Sequence, residues 1–247
     1  MALEKQGGSF ISVVMTNLST VLLIVAAFMI GMLWSKVQLL EQGGGTPTPT
    51  AQQPAGDVPA PVTQLSDDQW KAVQQNPVAQ IGNKNAKVTI VEFTDFQCPF
   101  CEQYATTTFP EIKKNFIDTN KVNYLVRDLP LSFHANAHVA AELARCAADQ
   151  GKYWQMHDAL FANQDKWSTG DPKATFEQLG KDAGLNTANL MKCFSDGKYK
   201  KAVDDDLALA GKSGADGTPT FFINGKAIVG ALPYAEFEKE IKSALGE

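Results

Sequence analysis

The stretch VEFTDFQCPFC, residues 91–101, decides the fold of this chain. It completes the run KVTIVEFT, Lys87 to Thr94, in which β-branched and aromatic residues alternate as they do in a buried strand. The strand leads through Asp95-Phe96-Gln97 to Cys98, where a helix is predicted to begin. The two cysteines of the motif Cys98-Pro99-Phe100-Cys101 are therefore expected at a strand-to-helix junction.

This position suits a reactive pair of thiols. The first turn of a helix directs unpaired N–H groups and a partial positive charge at Cys98, and both stabilise a thiolate. Two intervening residues place the sulfurs within disulfide range, so the pair can alternate between dithiol and disulfide. We expect Cys98 to be the exposed nucleophile and Cys101 the shielded resolving thiol. The same spacing also serves zinc and iron–sulfur sites, so the motif alone leaves a metal site open.

Patterns on both sides of the motif predict an α/β domain. A capping box is expected at Ser66 and Gln69, and a second strand at Val122 to Arg127. A long helical stretch follows from His134 to about Gly214. The chain then returns to a hairpin, Thr220 to Ile223 and Ala227 to Val229 around Asn224-Gly225, and to a closing helix at Tyr234 to Leu245. The order β-α-β, helices, β-β-α indicates one sheet interrupted by a helical insertion.

Composition bounds the class of protein. The 247 residues carry 22 Lys and Arg against 27 Asp and Glu, and a net charge of −5 offers no broad basic surface for nucleic acid. The four cysteines are too few for a small scaffold held together by disulfides.

The first 65 residues differ from the rest. The run Leu18 to Trp34 is almost wholly apolar, and residues 43–61 hold five of the twelve prolines. We predict an uncleaved transmembrane anchor in 1–36, a flexible Pro/Gly/Thr-rich linker in 37–65 and a folded domain in 66–247. A cleaved signal peptide and a buried core helix are the alternatives for the apolar run, and charge does not settle which side of the membrane the domain faces.

Beyond these patterns, the sequence resembles the DsbA-like branch of the thioredoxin superfamily. VEFTDFQCPFC is similar to the active-site strand and helix start of that branch, and Gly217-Thr218-Pro219-Thr220 followed by FFINGK is similar to its cis-proline loop and hairpin. The resemblance covers roughly residues 80–245, including RDLPLSFHANAHVAAELARCAADQGKYW in the insert. It implies a thioredoxin fold with a helical domain inserted at about 131–214.

The resemblance also implies roles for particular residues. Pro219 would be cis and face the cysteines, so that Thr218, ahead of an edge strand, exposes backbone to which an extended substrate could pair. An ordinary trans turn proline is the alternative. Glu92 would be the buried acid that exchanges protons with Cys101, the alternative being a strand residue that faces solvent.

Four residues around the cysteines are expected to adjust the site. Asp95 and Gln97 would set hydrogen bonding near the nucleophile, although Asp95 could equally cap a turn or helix. Pro99 and Phe100 lie between the cysteines. Phe100 departs from the histidine of the strongest oxidants of the family, which leaves oxidant strength open.

The remaining candidate residues have structural interpretations. By resemblance, Cys146 and Cys193 form a structural disulfide between helices of the insert, with two isolated thiols or a zinc site using all four cysteines as alternatives. His134, His138 and His157 invite a metal hypothesis because the first two would share a helix face, but the H-E-x-x-H pattern is lacking. We predict no metal, and we expect the acidic run Asp204 to Asp206 to lie on a solvated face.

The sequence thus favours a membrane-anchored thiol–disulfide oxidoreductase that uses the Cys98–Cys101 disulfide and no other cofactor. By resemblance, it would be a single-pass, monomeric protein facing the periplasm or extracytoplasmic space, oxidising reduced exported polypeptides and reoxidised by a quinone-linked membrane oxidase of the DsbB or VKOR type. A reductase or isomerase, and a non-catalytic binding module that holds exported chains, are the alternatives.

Overall fold

The computed structural model describes residues 64–247. The predicted anchor and all but the last two residues of the predicted linker lie outside the described residues. Leu65, assigned to the linker, is buried, and its N–H donates to the Gly225 carbonyl, so the folded domain takes in the end of that segment. None of the helices in this part of the chain has both the length and the apolar character needed to cross a membrane.

A mixed sheet forms the centre of the domain. Its five strands follow the spatial order β1-β3-β2-β4-β5. They are β1 Ala79–Gly82, β2 Val88–Thr94, β3 Val122–Asp128, β4 Thr220–Ile223 and β5 Lys226–Val229. The central pair β2 and β3 is parallel, while β1 and the β4–β5 hairpin pair antiparallel to the strands beside them. The parallel pair is buried along its entire length, as expected for strands covered on both faces.

Helices cover the sheet and form the insert. They are α1 Asp67–Gln74, α2 Pro99–Gln103, α3 Phe109–Ile112, α4 Ala137–Ala148, α5 Tyr153–Ala162, α6 Gln164–Trp167, α7 Lys173–Asp182, α8 Thr187–Ser195, α9 Lys200–Lys212 and α10 Tyr234–Leu245. The helix predicted to begin at Cys98 consists of α2 and α3, joined and extended by the π-helical segments Tyr104–Thr108 and Lys113–Ile117. Between β3 and β4, helices α4 to α9 make up the predicted insertion.

Alternation along β2 divides the core into two parts. Ile90 packs with the active-site helix, the insert and α10, whereas Val91 and Phe93 pack on the other face with α1 and the end of α9. The predicted capping box at Ser66 and Gln69 is present, and it begins α1. The sheet is thus covered on both faces, and the cysteines lie at the carboxyl end of β2.

The sheet differs from the sequence prediction in one missing strand and one misplaced strand. Strand β1 was not predicted, because its four residues AQIG carry little apolar signal and depend on pairing with β3. Gly82 ends it with φ +92°, where a Cβ would lie 2.2 Å from the Val122 carbonyl oxygen. Strand β4, predicted as an edge strand, is internal because its own hairpin partner β5 covers its outer side.

Candidate active site

The two cysteines lie at the start of α2. Cys98 has extended backbone angles at the N-cap, and Pro99 follows as the first helical residue, where its missing N–H costs no hydrogen bond. Both cysteines are thiols in this structure. Cys98 is only 3% exposed, which corrects the prediction of an exposed nucleophile: the Thr218 carbonyl oxygen lies 3.5 Å from its sulfur. Cys101, one turn into the helix, is fully buried, as predicted.

The environment of Cys98 favours its thiolate. A hydrogen bond from the Cys101 thiol lowers the pKa of Cys98 to about 6, against the opposing effect of burial. Contact with Thr218 and the backbone N–H groups of Cys101 and Phe100 contribute to this lowering. The thiolate is therefore the favoured form of Cys98 at pH 7.

Cys101 is held in the opposite state. Burial raises the pKa of Cys101 well above its ordinary value, and the hydrogen bond to Cys98 and the charge of the Cys98 thiolate add to the effect. The backbone N–H of Asp95, 3.4 Å from the Cys101 sulfur, opposes them. The pair therefore combines a thiolate at Cys98 with a protonated thiol at Cys101.

Glu92 is a buried acid on the same face of the sheet as the cysteines. It is 2% exposed, which excludes the solvent-facing alternative. Burial raises its pKa, while the charge of His157 and the hydrogen bond from Tyr124 oppose the rise. The Tyr124 hydroxyl donates to Glu92 Oε2 at 2.7 Å, which leaves the Tyr104 hydroxyl, 2.8 Å from it, as donor to Tyr124. The charge of Glu92 raises the pKa of Cys101, so the two groups are electrostatically linked.

The loop before β4 faces Cys98. The peptide bond between Thr218 and Pro219 is cis in this structure. The Pro219 carbonyl accepts a hydrogen bond from the Gly230 N–H, and the Thr220 hydroxyl donates to the Gly217 carbonyl. The contact of Thr218 with Cys98 places these residues beside the cysteines, while their role in binding substrate stays a prediction.

Asp95 organises the turn between β2 and α2. Its side chain is buried and accepts hydrogen bonds from the N–H groups of Gln97 and Leu131, at 2.7 and 2.9 Å. Its Oδ2 is also 2.7 Å from Nδ1 of His134. The prediction that His134 shares a helix face with His138 was wrong, because α4 begins only at Ala137 and His134 belongs to the preceding loop.

The insert fastens the same turn from the other side. The Gln97 side chain accepts from the Asn136 N–H at 2.7 Å and donates to the Ser168 carbonyl at 2.9 Å. Gln164 on α6 donates to the carbonyls of Phe96 and Cys98, at 2.8 and 3.2 Å. Sequence reasoning missed Gln164 and Asn136, because single amides far along the chain carry no local signal.

Phe100 is the large apolar residue at the surface of the motif. Its side chain is 60% exposed, while Pro99 beside it is also exposed. A second exposed aromatic, Phe133 at 75%, stacks edge-on against His134 at 4.5 Å. His134 is in turn linked through Asp95 to the turn that carries the cysteines. The exposed rings of Phe100 and Phe133 therefore place apolar surface beside this turn.

The other two cysteines form a disulfide. Cys146 on α4 and Cys193 on α8 are joined across 47 residues, so they cannot belong to a zinc site with the other pair. Within residues 64–247 no group of three or more histidine, cysteine or acidic side chains is placed to hold a metal ion.

The acidic run is not entirely solvated, which corrects the sequence prediction. Asp206 is buried and binds Arg127 at 2.7 Å and Arg145 at 2.5 Å, because the third acid of the run faces inward on α9. Arg145 also pairs with Asp128 at 2.5 Å. These four residues form an internal ionic network that joins β3 to α4 and α9.

The sheet order, the cysteine pair at the start of a helix and the cis-proline loop define a thioredoxin fold with an inserted helical domain. A family model described as Thioredoxin matches residues 74–243, more than half of the chain. The crystal structure of Wolbachia pipientis alpha-DsbA1 is similar, with a TM-score of 0.63 and 26% identity, covering 70% of this chain and 92% of that one. The chain belongs to the thioredoxin superfamily as a DsbA-like member.

Several curated proteins match by sequence, and two of them are described here. A putative protein-disulfide oxidoreductase of Rickettsia bellii is 35% identical over 149 residues, which are 59% of this chain and 56% of that protein. The Na(+)/H(+) antiporter NhaA 3 of Salinispora tropica is 38% identical over 146 residues, which are 59% of this chain and 21% of the antiporter. In both cases the chain spans less than two thirds of the relative.

Proposed function

We propose that this protein is a membrane-anchored protein thiol–disulfide oxidoreductase that oxidises cysteines in exported polypeptides. The observation that carries the proposal is the cysteine pair at the start of α2, where Cys98 has a stabilised thiolate and Cys101, one turn further on, is buried and protonated. The contact of Thr218 with Cys98 and the name of the Rickettsia relative support it.

The proposed reaction begins from the Cys98–Cys101 disulfide. A substrate thiolate attacks the Cys98 sulfur, the bond between the two active-site sulfurs breaks, and Cys101 leaves as a thiolate that takes a proton from Glu92. A second substrate thiolate then attacks the substrate sulfur of the mixed disulfide and displaces Cys98 as a thiolate. The substrate loses two electrons and gains a disulfide, and the protein becomes the dithiol.

The low pKa of Cys98 supports the oxidising direction. A stabilised thiolate lowers the free energy of the reduced form, so the disulfide form becomes the stronger oxidant. Because Phe100 supplies no cationic side chain between the cysteines, we attribute the effect to the hydrogen bonds from Cys101 and from the start of α2.

The sequence supports the remaining parts of the proposal. The apolar run Leu18 to Trp34 would anchor the chain as a single-pass protein, and the linker from residue 37 to about residue 63 would tether the domain in the periplasm or extracytoplasmic space. Reduced exported polypeptides would be the substrates, and a quinone-linked membrane thiol oxidase of the DsbB or VKOR type would restore the disulfide of the monomeric protein.

The reduction potential of the Cys98–Cys101 pair tests the proposal. We would equilibrate the full chain in detergent with glutathione buffers and quantify both redox forms by alkylation and mass. A potential well above that of the glutathione couple is expected for an oxidant, and one well below it would indicate a reductase. Oxidation of a reduced unfolded protein should be lost in Cys98→Ser. If the wild type binds the unfolded protein but does not oxidise it, the protein would instead be a non-catalytic binding module that holds exported chains.

A further inference from the structure

Asp95 contacts both active-site cysteines through its backbone. Its carbonyl oxygen accepts a hydrogen bond from the Cys98 N–H at 3.1 Å, and its own N–H lies 3.4 Å from the Cys101 sulfur. The position of this one residue therefore determines how closely an N–H group approaches the sulfur of Cys101. Any group that holds Asp95 in place acts indirectly on the cysteine pair.

The Asp95 side chain is anchored by three donors. It is fully buried, and its two oxygens accept from the backbone N–H groups of Gln97 and Leu131 at 2.7 and 2.9 Å. The third partner is His134, whose Nδ1 lies 2.7 Å from Asp95 Oδ2. Because a carboxylate can only accept hydrogen bonds, Nδ1 must carry the proton. Two of the donors are thus backbone groups, and His134 supplies the third from its side chain.

His134 is itself held firmly at the start of the insert. Its N–H donates to the Leu131 carbonyl at 2.9 Å, and its carbonyl accepts from the N–H of Ala137, the first residue of α4, at 3.2 Å. Its ring is 16% exposed and packs edge-on against Phe133. The imidazole therefore reaches Asp95 from a backbone position that is fixed on both sides, as is typical of residues that support a site.

We propose that His134 is a positioning residue of the disulfide exchange reaction, which holds the Asp95 carboxylate so that the Asp95 N–H stays on the Cys101 sulfur. The inference rests on the proposed function. A buried carboxylate that loses a donor is costly to keep in its place. Without His134 the turn relaxes, and the Asp95 N–H moves away from Cys101.

The N–H contact matters because charge develops on Cys101 during the reaction. When a substrate thiolate attacks the Cys98 sulfur, the bond between the two active-site sulfurs breaks and its electron pair stays on Cys101. An N–H group binds this leaving thiolate more strongly than it binds the neutral disulfide sulfur. The contact therefore speeds the opening of the disulfide.

The same contact favours the reduced form after the reaction. Cys101 is then a thiol that donates to the Cys98 thiolate. An N–H group that donates to the Cys101 sulfur strengthens this bond, because hydrogen bonds in a chain polarise one another. Stabilising the reduced form makes the disulfide a stronger oxidant. His134 thus raises both the rate and the oxidising strength of the pair.

His134→Phe and His134→Asn test the proposal. Phe keeps a ring and removes the donor, whereas the amide nitrogen of Asn lies close to the place of Nδ1 and can still donate to Asp95. We would use the full chain in detergent and measure two quantities by alkylation and mass. They are the equilibrium constant for oxidation of glutathione by the Cys98–Cys101 disulfide and the rate at which dithiothreitol reduces that disulfide.

Both quantities are expected to fall roughly tenfold in His134→Phe, which is the effect of one hydrogen bond to a charged group. His134→Asn should stay close to the wild type. His138→Phe is the matched control, because His138 also pairs with carboxylates, those of Glu142 and Asp204, but lies outside the active-site turn. A purely structural role would destabilise both redox forms alike and leave the equilibrium constant unchanged, and thermal unfolding of both forms measures that contribution.

The outcomes separate the inference from the proposed function. If folded His134→Phe keeps both values, or if His134→Asn or His138→Phe loses as much, the role of His134 is wrong while the proposed function stands. A wild-type pair that is more reducing than glutathione would overturn the proposed function, and the difference between the variants would still decide the role of His134. Should His134→Phe not fold, nitrogen-15 NMR of the wild-type histidines is the second test. A His134 Nδ1 without a proton in the reduced protein would overturn the inference.

Discussion

The Gln164 side chain donates a hydrogen bond to the carbonyl oxygen of Cys98 at 3.2 Å, which ties the inserted helices to the residue that begins the active-site helix. Together with its bond to the Phe96 carbonyl, this single amide satisfies two buried backbone groups of the turn. The insert is thus part of the support for the cysteines as well as a cover for the sheet.

Gln164→Leu keeps the size of the side chain and removes both hydrogen bonds. We expect a loss of about 1 to 3 kcal/mol in the free energy of unfolding, because the Phe96 carbonyl is left buried without its donor. Urea denaturation of the reduced protein measures it. Gln178→Leu, at an exposed position on α7, is the control, and equal losses in the two variants would contradict a specific role for Gln164.

The tuning of Cys98 predicts its alkylation profile. In the reduced protein, the rate of reaction with iodoacetamide should rise with a midpoint near pH 6, because only the thiolate reacts. Mass spectrometry after brief labelling assigns the modified thiol. Labelling of Cys101 below pH 9 in the native protein, or a midpoint for Cys98 near 9, would show that the two thiols are not tuned in opposite directions.

The same tuning predicts how stability depends on pH. The pKa of Cys98 is lower in the folded protein than in the unfolded chain. The contribution of Cys98 to the free energy of unfolding is therefore absent below pH 6, grows as the pH rises and is complete near pH 9. Relative to the disulfide form, the reduced form should become more stable between pH 6 and 9. Thermal unfolding of both redox forms across this range measures the difference, and Cys98→Ser should abolish its rise with pH.

Asp206 is predicted to be the most sensitive acid of the insert. Asp206→Ala leaves Arg127 and Arg145 without their shared partner in a buried site, and losing one side of such a network costs about 3 to 5 kcal/mol. Asp205→Ala, whose partner Lys201 is exposed, is the matched control and should leave stability unchanged. Chemical denaturation of the two variants gives the comparison directly.

Tyr124→Phe is expected to raise the pKa of Glu92 further, because the variant removes the hydroxyl that donates to its carboxylate. Carbon-13 NMR of labelled glutamate side chains follows the titration of Glu92 directly. Tyr234→Phe, at the surface of α10, serves as the control. An unchanged Glu92 titration in Tyr124→Phe would mean that the hydrogen bond does not stabilise the charged acid.

The elements close to the motif could be predicted from sequence, because their signals are local. Strand β2, the helix start at Cys98 and the hairpin around Asn224-Gly225 each have a pattern of their own, and the last helix was predicted with its observed bounds. Strand β1 could not be predicted, since only pairing with β3 makes it a strand.

The supports of the site depend on contacts between distant residues. Nothing near Asp206 in sequence distinguishes it from Asp205, because its burial follows from the position of two arginines on β3 and α4. The partial shielding of Cys98 likewise depends on Thr218, which is 120 residues away along the chain. Such relationships exist only once the sheet has formed.

The placement of β4 between β2 and β5 has a consequence for biogenesis. The loop that covers Cys98 and the strand beside the active-site strand are synthesised about 120 residues after the cysteine itself. Until that loop has been made, Cys98 lacks its cover, so the nascent domain carries an unshielded cysteine. Formation of the β4–β5 hairpin therefore adds the cover over Cys98 and one of the contacts that lower its pKa.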